Sequence, residues 1–149
     1  MNRGKLAKDL FNQGYNCSQA IVLAFQDKLN IDKKQLEALS SSFGGGVARL
    51  REICGCISGM GIVLGLMYGN YDKLDNDAKS NHYQRVQKLS FLFKEEMKSY
   101  ICSDLLNQLK GPEVPIASIR NESYYNQRPC GKYIEYMANL IEKEINSNE

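Results

Sequence analysis

The sequence has 149 residues, of which 43% are hydrophobic, and this is the size and composition of one ordinary domain. A chain of this length buries about two-thirds of the surface that it exposes when unfolded. Its 19 basic and 17 acidic residues are spread along the chain and leave a net charge of only +2, without the basic stripe of a nucleic-acid-binding protein. We therefore expect a single domain over residues 1–149 and no nucleic-acid partner.

The sequence also lacks the patterns of an exported or membrane-inserted chain. The first ten residues carry charges but no apolar stretch of the kind that a secretory signal has. The apolar run over residues 57–69 would extend only about 20 Å as a helix, against a hydrocarbon core of about 30 Å. We therefore expect a cytoplasmic protein without membrane insertion, in which five cysteines indicate reduced thiols, a metal site or a redox site.

Local signals place the first helices. The spacing of apolar residues predicts a helix over residues 3–13. Asn16 followed by Gln19 is a variant of the capping box and predicts that a second helix begins with Cys17 at its first position. Asp32 begins a third helix by the same logic.

The third helix is predicted to end near residues 40–42, ahead of a triple glycine. Gly44, Gly45 and Gly46 break the helical pattern. The segment from there to Arg51 matches no regular element.

The next stretch, residues 55–69, is apolar on every face, so periodicity cannot distinguish a buried strand from a buried helix. Its length favours a helix. An interior glycine costs about 0.8–1 kcal/mol relative to alanine, so the glycines spaced four apart predict tight helix crossings that offset this cost. These glycines are Gly55 and Gly59 on one face and Gly61, Gly65 and Gly69 on another. Such faces are also compatible with a helical homodimer.

The remainder of the chain is again helical in pattern. Apolar spacing over residues 83–97 predicts a long helix of about five turns, and a short helix follows a bend at Cys102. Residues 110–126 are the one long loop candidate, and Pro129 with Cys130 opens the last helix. Nothing indicates a strand. The sequence thus predicts an all-α bundle of five to seven helices around the glycine-patterned helix.

Four of the five cysteines fall at or next to a predicted helix N-terminus. They are Cys17, Cys54, Cys102 and Cys130. Free backbone N–H groups and the helix dipole favour a thiolate at such a position, and Arg49 and Arg51 are close in sequence to Cys54. Four thiols gathered in space would suit tetrahedral zinc, an iron–sulfur cluster or redox disulfides. Simple packing of buried cysteines is the alternative for all of them.

Cys56 is interpreted differently. Residues two apart on a helix point about 200° away from each other, at about 100° per residue, so Cys54 and Cys56 are not expected to face one site. We therefore predict that Cys56 is a small buried hydrophobe. The sequence contains no CxxC zinc or thioredoxin-like motif and no CxxCH motif for covalent haem.

Motifs along nearly the whole chain carry a family resemblance. They are Gly14-Tyr-Asn-Cys17-Ser-Gln-Ala20, Phe43-Gly-Gly-Gly46, Cys54-Gly-Cys56-Ile-Ser-Gly59 and Leu64-Gly65-Leu-Met-Tyr-Gly69, then the lone Cys102 and the late Cys130. Together they resemble the small prokaryotic C_GCAxxG_C_C family of redox-active proteins. The resemblance implies a redox role for the four cysteines, and the chain departs from the family motif at Cys56, where the family has alanine. This departure supports packing as the role of Cys56, with a fifth ligand or a resolving thiol as the alternatives. A more distant similarity to the cysteine-bearing part of split-Soret cytochromes implies an iron–sulfur site.

We therefore predict a cytoplasmic redox or electron-transfer protein with an unknown redox partner protein. The residues predicted to act as redox centres or metal ligands are Cys17, Cys54, Cys102 and Cys130. An iron–sulfur cluster is slightly favoured over a thiol–disulfide couple, because four thiolates are a full ligand set. The glycines whose backbone is expected near a bound cofactor are Gly44, Gly45, Gly46 and Gly55. The alternatives are a scaffold module with structural zinc and, more weakly, an enzyme with one nucleophilic cysteine.

Other residue types add little to this prediction. His82 is the one histidine, and its polar surroundings indicate a solvated surface residue. No Gly-Lys-Ser/Thr follows the triple glycine, so phosphate binding of the P-loop kind is not indicated. Four tyrosines near Cys130 are candidates for a pocket wall, although core packing explains them equally well. They are Tyr124, Tyr125, Tyr133 and Tyr136.

Overall fold

The computed structural model describes residues 1–107 and 114–149, and over those residues the protein is helical. Its helices are α1 (Arg3–Asn12), α2 (Cys17–Leu23), α3 (Lys33–Ser40), α4 (Gly44–Val47), α5 (Gly55–Tyr68), α6 (Asn76–Met97), α7 (Cys102–Leu106), α8 (Glu122–Gln127) and α9 (Cys130–Ser147). Apart from one isolated antiparallel bridge between Ile53 and Ile101, the described ranges contain no strand pairing. The all-α prediction is confirmed, with additional helical segments that are only one or two turns long.

Side-chain caps determine where the first helices begin. Asn16 and Gln19 form a reciprocal capping box, with each side chain accepting a backbone N–H of the other residue at 2.9 and 3.1 Å. Cys17 is therefore the first residue of α2, as predicted. The Asp32 side chain likewise accepts the N–H of Gln35 and starts α3.

The core is one hydrophobic cluster with α5 at its centre. This helix packs mainly against α2 and α9, while α1 lies along α9. Met60, Val63 and Leu64 of α5 are fully buried, because neighbouring helices cover it on more than one face. Of the helices in the described part of the chain, none is long and apolar enough to cross a membrane.

The glycines of α5 have two different roles. A Cβ added at Gly59 would lie 2.9 Å from the Ile21 Cβ and 3.0 Å from the Ser18 carbonyl oxygen, so α5 and α2 can cross closely only without a side chain there. Gly61 and Gly65 have no described atom within 4 Å of such a Cβ. The expected close crossing is therefore confirmed for the Gly55 and Gly59 face and is wrong, within this chain, for the Gly61 and Gly65 face.

Two boundaries in the C-terminal half differ from the sequence prediction. Helix α6 begins at Asn76, because the Asp75 side chain accepts the N–H of Ala78, and it has 22 residues. The predicted loop over residues 110–126 contains the start of α8, which the Asn121 side chain caps by accepting the N–H of Tyr124. Residues 110–113 of that loop lie outside the described residues.

We predict opposite effects on stability from the same substitution at two glycines of α5. Gly59→Ala forces its methyl group against Ile21 and should lower the free energy of unfolding by about 1–3 kcal/mol. Gly61→Ala has open space for the methyl group and should raise that free energy by up to about 1 kcal/mol, because alanine is the better helix former. Urea unfolding followed by circular dichroism measures both, and equal effects would contradict the proposed crossing.

Candidate functional site

Four helix beginnings meet at one cavity, and each carries a cysteine. Cys17 is the first residue of α2, Cys54 is the N-cap of α5, Cys102 is the first residue of α7 and Cys130 is the first residue of α9. All four line a cavity of about 50 Å³, which has room for a few water molecules. The structure therefore brings together every cysteine that the sequence placed at a helix N-terminus.

The thiols within this group interact directly. The thiols of Cys130 and Cys56 are the neighbours that most affect the pKa of Cys17. The Cys54 sulfur accepts the backbone N–H of Cys56 at 3.5 Å. Cys17 is partly exposed, the other four are buried, and all five are free thiols.

These contacts divide the protons unequally among the thiols. Hydrogen bonds from Cys130 and then Cys56 hold the pKa of Cys17 well below its usual range against the opposing effect of burial, and the charge of Arg120 adds to this lowering. The hydrogen bond to Cys17, together with burial, raises the pKa of Cys130 well above its usual range. Burial and contact with Cys17 and Cys54 raise the pKa of Cys56 in the same way. Among these three thiols, the thiolate form is therefore most favoured at Cys17.

Cys56 is fully buried, as expected of a small packing residue, and it does not line the cysteine cavity. Cys54 precedes the helix with φ −55° and ψ 137°, so the helical angle between residues two apart does not apply to this pair. The Cys54 sulfur turns back over the first turn of α5 and accepts the N–H of Cys56. Burial, together with the thiols of Cys17 and Cys54, raises the pKa of Cys56.

A short backbone pairing joins the second and third cysteine segments. Cys54 N–H donates to the Tyr100 carbonyl at 2.9 Å, and Cys102 N–H donates to the Glu52 carbonyl. The isolated bridge lies between these two bonds. This pairing places Cys54 and Cys102 on adjacent segments although they are 48 positions apart in the sequence, and no local pattern indicates it.

The segment after the triple glycine is a left-handed turn, which the sequence left unassigned. Gly45 and Gly46 have φ of 70° and 71°, and the next three residues also have positive φ. Those three residues are Val47, Ala48 and Arg49. Left-handed backbone costs non-glycine residues about 1–2 kcal/mol each, so the turn is held by its surroundings. A Cβ at Gly46 would lie 2.6 Å from the Cys102 Cβ, which shows how closely this turn covers the cysteines.

The turn delivers a buried arginine to the site. Arg51 is 4% exposed, and its Nη1 lies 3.6 Å from the Cys102 sulfur as a hydrogen-bond donor. The sequence predicts that Arg49 and Arg51 stabilise a thiolate at Cys54. Arg51 instead contacts the sulfur of Cys102. Burial nevertheless outweighs Arg51 and raises the pKa of the Cys102 thiol.

Two further arginines in the cavity wall were not identified from the sequence. Arg120 lies in the segment that was predicted to be a loop, and Arg128 lies just after that segment, before α9. The Arg120 guanidinium lies 4.9 Å from the Phe11 ring centroid and 4.6 Å from that of Tyr124, and Arg128 lies 5.0 Å from Tyr124. The sequence pattern that could have identified them is the presence of two arginines shortly before Cys130, in a stretch with aromatic residues.

Some of the other residues predicted for the site lie in the cavity wall, and the rest lie outside it. Tyr124 and Tyr133 line the cavity, whereas Tyr125 and Tyr136 pack against Phe11 and Phe93. Among the glycines, Gly45, Gly46 and Gly55 line it and Gly44 lines a neighbouring cavity. His82 is half-buried beside the Tyr71 ring, where burial and the charge of Arg85 lower its pKa. It does not line the cysteine cavity.

Comparison with models of known protein families identifies the family of this chain. The family model with the description Putative redox-active protein (C_GCAxxG_C_C) matches residues 15–144, a range that contains all five cysteines. Comparisons with curated proteins and with solved structures gave no match. The matched range covers most of the chain, and the four cysteines that name the family lie around one cavity. The chain therefore belongs to the C_GCAxxG_C_C family, which is described as redox-active.

Proposed function

We propose that this chain is a thiol-based redox protein in which Cys17 and Cys130 form a reversible disulfide. The position of both residues in the wall of one small cavity carries the proposal, because a disulfide requires two cysteines that lie close together. The Cys130 thiol is also the strongest influence that lowers the pKa of Cys17. The thiolate is the nucleophile of thiol–disulfide exchange, and Cys17 has the lowered pKa and the partial exposure that this role needs. Cys130 is the protonated, buried partner.

A redox partner protein that carries a disulfide serves as the oxidant in this reaction. The Cys17 thiolate attacks one sulfur of the partner's disulfide, which breaks and leaves a thiolate on the partner. Cys130 passes its proton to that leaving thiolate and attacks the Cys17 sulfur of the mixed disulfide. The partner departs with both sulfurs reduced, and the chain keeps both oxidised as a Cys17–Cys130 disulfide. The reverse sequence reduces the chain, and we propose a cytoplasmic location because thiols remain reducible there.

A second candidate is an iron–sulfur cluster, which the chemistry of the donor set favours. Four thiols from four helix N-termini, with Arg51, Arg120 and Arg128 in the same wall, suit an anionic cluster. Its ligands would be the four cysteines of the cavity, and it would supply one-electron transfer. In a cluster each of these sulfurs is bound to iron, whereas here the Cys130 thiol is the strongest influence on the pKa of Cys17, and this pairing favours the disulfide couple.

Structural zinc receives less support from the geometry. A tetrahedral site needs several ligands around one point. Within residues 1–107 and 114–149, no three cysteine, histidine or acidic side chains are placed to hold one metal ion.

We predict that Cys17 is alkylated faster than any other cysteine of the reduced protein and that it remains reactive well below pH 8.5, the ordinary thiol pKa. A lowered pKa keeps the thiolate present as the pH falls, so the rate of reaction with iodoacetamide should decline at a lower pH than for a free thiol. Peptide mass spectrometry measures each site. Cys130→Ala should raise the pKa of Cys17, whereas Cys102→Ala should change it less, because Cys102 makes no thiol contact with Cys17.

The disulfide and the cluster predict different products from one preparation. In protein purified without oxygen, we expect no stoichiometric iron or sulfide and, after titration with oxidised dithiothreitol, a Cys17–Cys130 disulfide in the peptide map. Brown protein with stoichiometric iron and sulfide would replace the couple with the cluster. Iron would then be lost when any one of the four cavity cysteines becomes serine and kept in Cys56→Ser.

A further inference from the structure

A second cavity adjoins the cysteine cavity and has an unusual wall. It has a volume of about 180 Å³ and shares Arg51, Arg120 and Arg128 with the cysteine cavity, while Arg49 lies in its wall alone. Its lining, as the described residues form it, contains four arginines and no aspartate or glutamate.

Among residues 1–107 and 114–149, the four arginines have no acidic partner within 4 Å to offset their charge. In the part of the chain that the structure describes, the ion pairs within 4 Å involve other basic residues. Arg49 donates instead to the Val114 carbonyl and the Ser118 hydroxyl, both neutral acceptors. Burial and then the charges of Arg51 and Arg128 lower the pKa of Arg49, which shows that these cations repel one another.

Buried donor atoms in this wall also lack hydrogen bonds. Arg51 is 96% buried, yet its Nε and Nη2 have no hydrogen-bond partner among the described residues. The buried Nη1 of Arg120 also has no hydrogen-bond partner among them. A buried charged donor without an acceptor is costly, so native structures satisfy such groups with protein, water or ligand. The left-handed turn holds Arg51 here at a conformational cost of its own, with φ of 61° at Arg51 itself.

We propose that this arginine-lined cavity binds a small oxyanion, namely a carboxylate or a tetrahedral inorganic anion. The planar guanidinium fork matches the paired oxygens of such groups, and Arg51 has two adjacent donors free to bind them. The volume admits a small molecule rather than a segment of protein. The inference does not depend on whether the cysteines form a disulfide or hold a cluster. An anionic molecule bound here lies against the wall that also carries Cys17 and Cys102.

Isothermal titration calorimetry on the reduced chain tests this site by measuring anion binding. The probes are inorganic phosphate, sulfate and malonate in chloride buffer at constant ionic strength. We expect saturable binding of at least one probe, weakened about tenfold or more in Arg51→Gln, because a charged hydrogen bond is lost. Arg128→Gln, a change at a less buried position, should also weaken binding. Binding of malonate alone would assign a carboxylate ligand, and binding of phosphate or sulfate alone would assign an inorganic one.

Arg85→Gln is the matched control, because it removes the same charge from α6, where Arg85 stacks on Tyr68 away from the cavity. It should bind the probe as the unchanged chain does. Circular dichroism establishes that each variant is folded, and Arg128→Gln decides the question if Arg51→Gln does not fold. Absence of saturable binding by all three probes would overturn the proposal. Equal weakening in Arg85→Gln and Arg128→Gln would overturn it as well, since the effect would then be one of general charge.

Discussion

The close crossing of α5 over α2 is the contact on which the rest of the site depends. Gly55 and Gly59 lie where a Cβ would meet Cys17, Ser18 or Ile21 at about 3 Å, so the two helices touch backbone to side chain with no layer between them. This crossing brings the N-cap Cys54 beside the first turn of α2. A larger side chain at either glycine would separate these two cysteine-bearing helix ends, and the thiol contacts of Cys17 would be lost with them.

The helix N-termini that converge on the cysteine cavity concentrate positive charge there, and this charge explains the acid–base properties of the thiols. Four positive helix ends and the guanidinium groups of Arg51, Arg120 and Arg128 surround a cavity whose described lining residues include no carboxylate. Negative charge is therefore favoured there, whether on the Cys17 thiolate or on a bound anion. The aromatic rings of Phe11 and Tyr124 stack against Arg120 and offset part of the cost of placing it at the site.

Much of the helical framework, including the placement of four cysteines at helix N-termini, was predictable because it depends on short-range patterns. The capping box at Asn16 and the cap at Asp32 are local hydrogen bonds that a few adjacent residues determine. The short helix α8 was missed because its cap at Asn121 stands in a polar stretch without an apolar stripe. Cys56 is buried outside the cavity lining, as expected, although the helical angles assumed for this prediction do not hold at Cys54, which has extended ψ as an N-cap.

The sequence by itself determined the all-α class, the start of the cysteine-bearing helices and the apolar length of α5, since these follow from spacing, capping and composition. Tertiary structure alone decided which thiols touch, which arginine reaches which sulfur and where the two cavities meet. These relations join residues far apart in the chain, such as Cys17 with Cys130 and Arg51 with Cys102. They depend on how closely helices pack and on a left-handed turn whose cost only its surroundings can offset, and neither property is written in a local pattern.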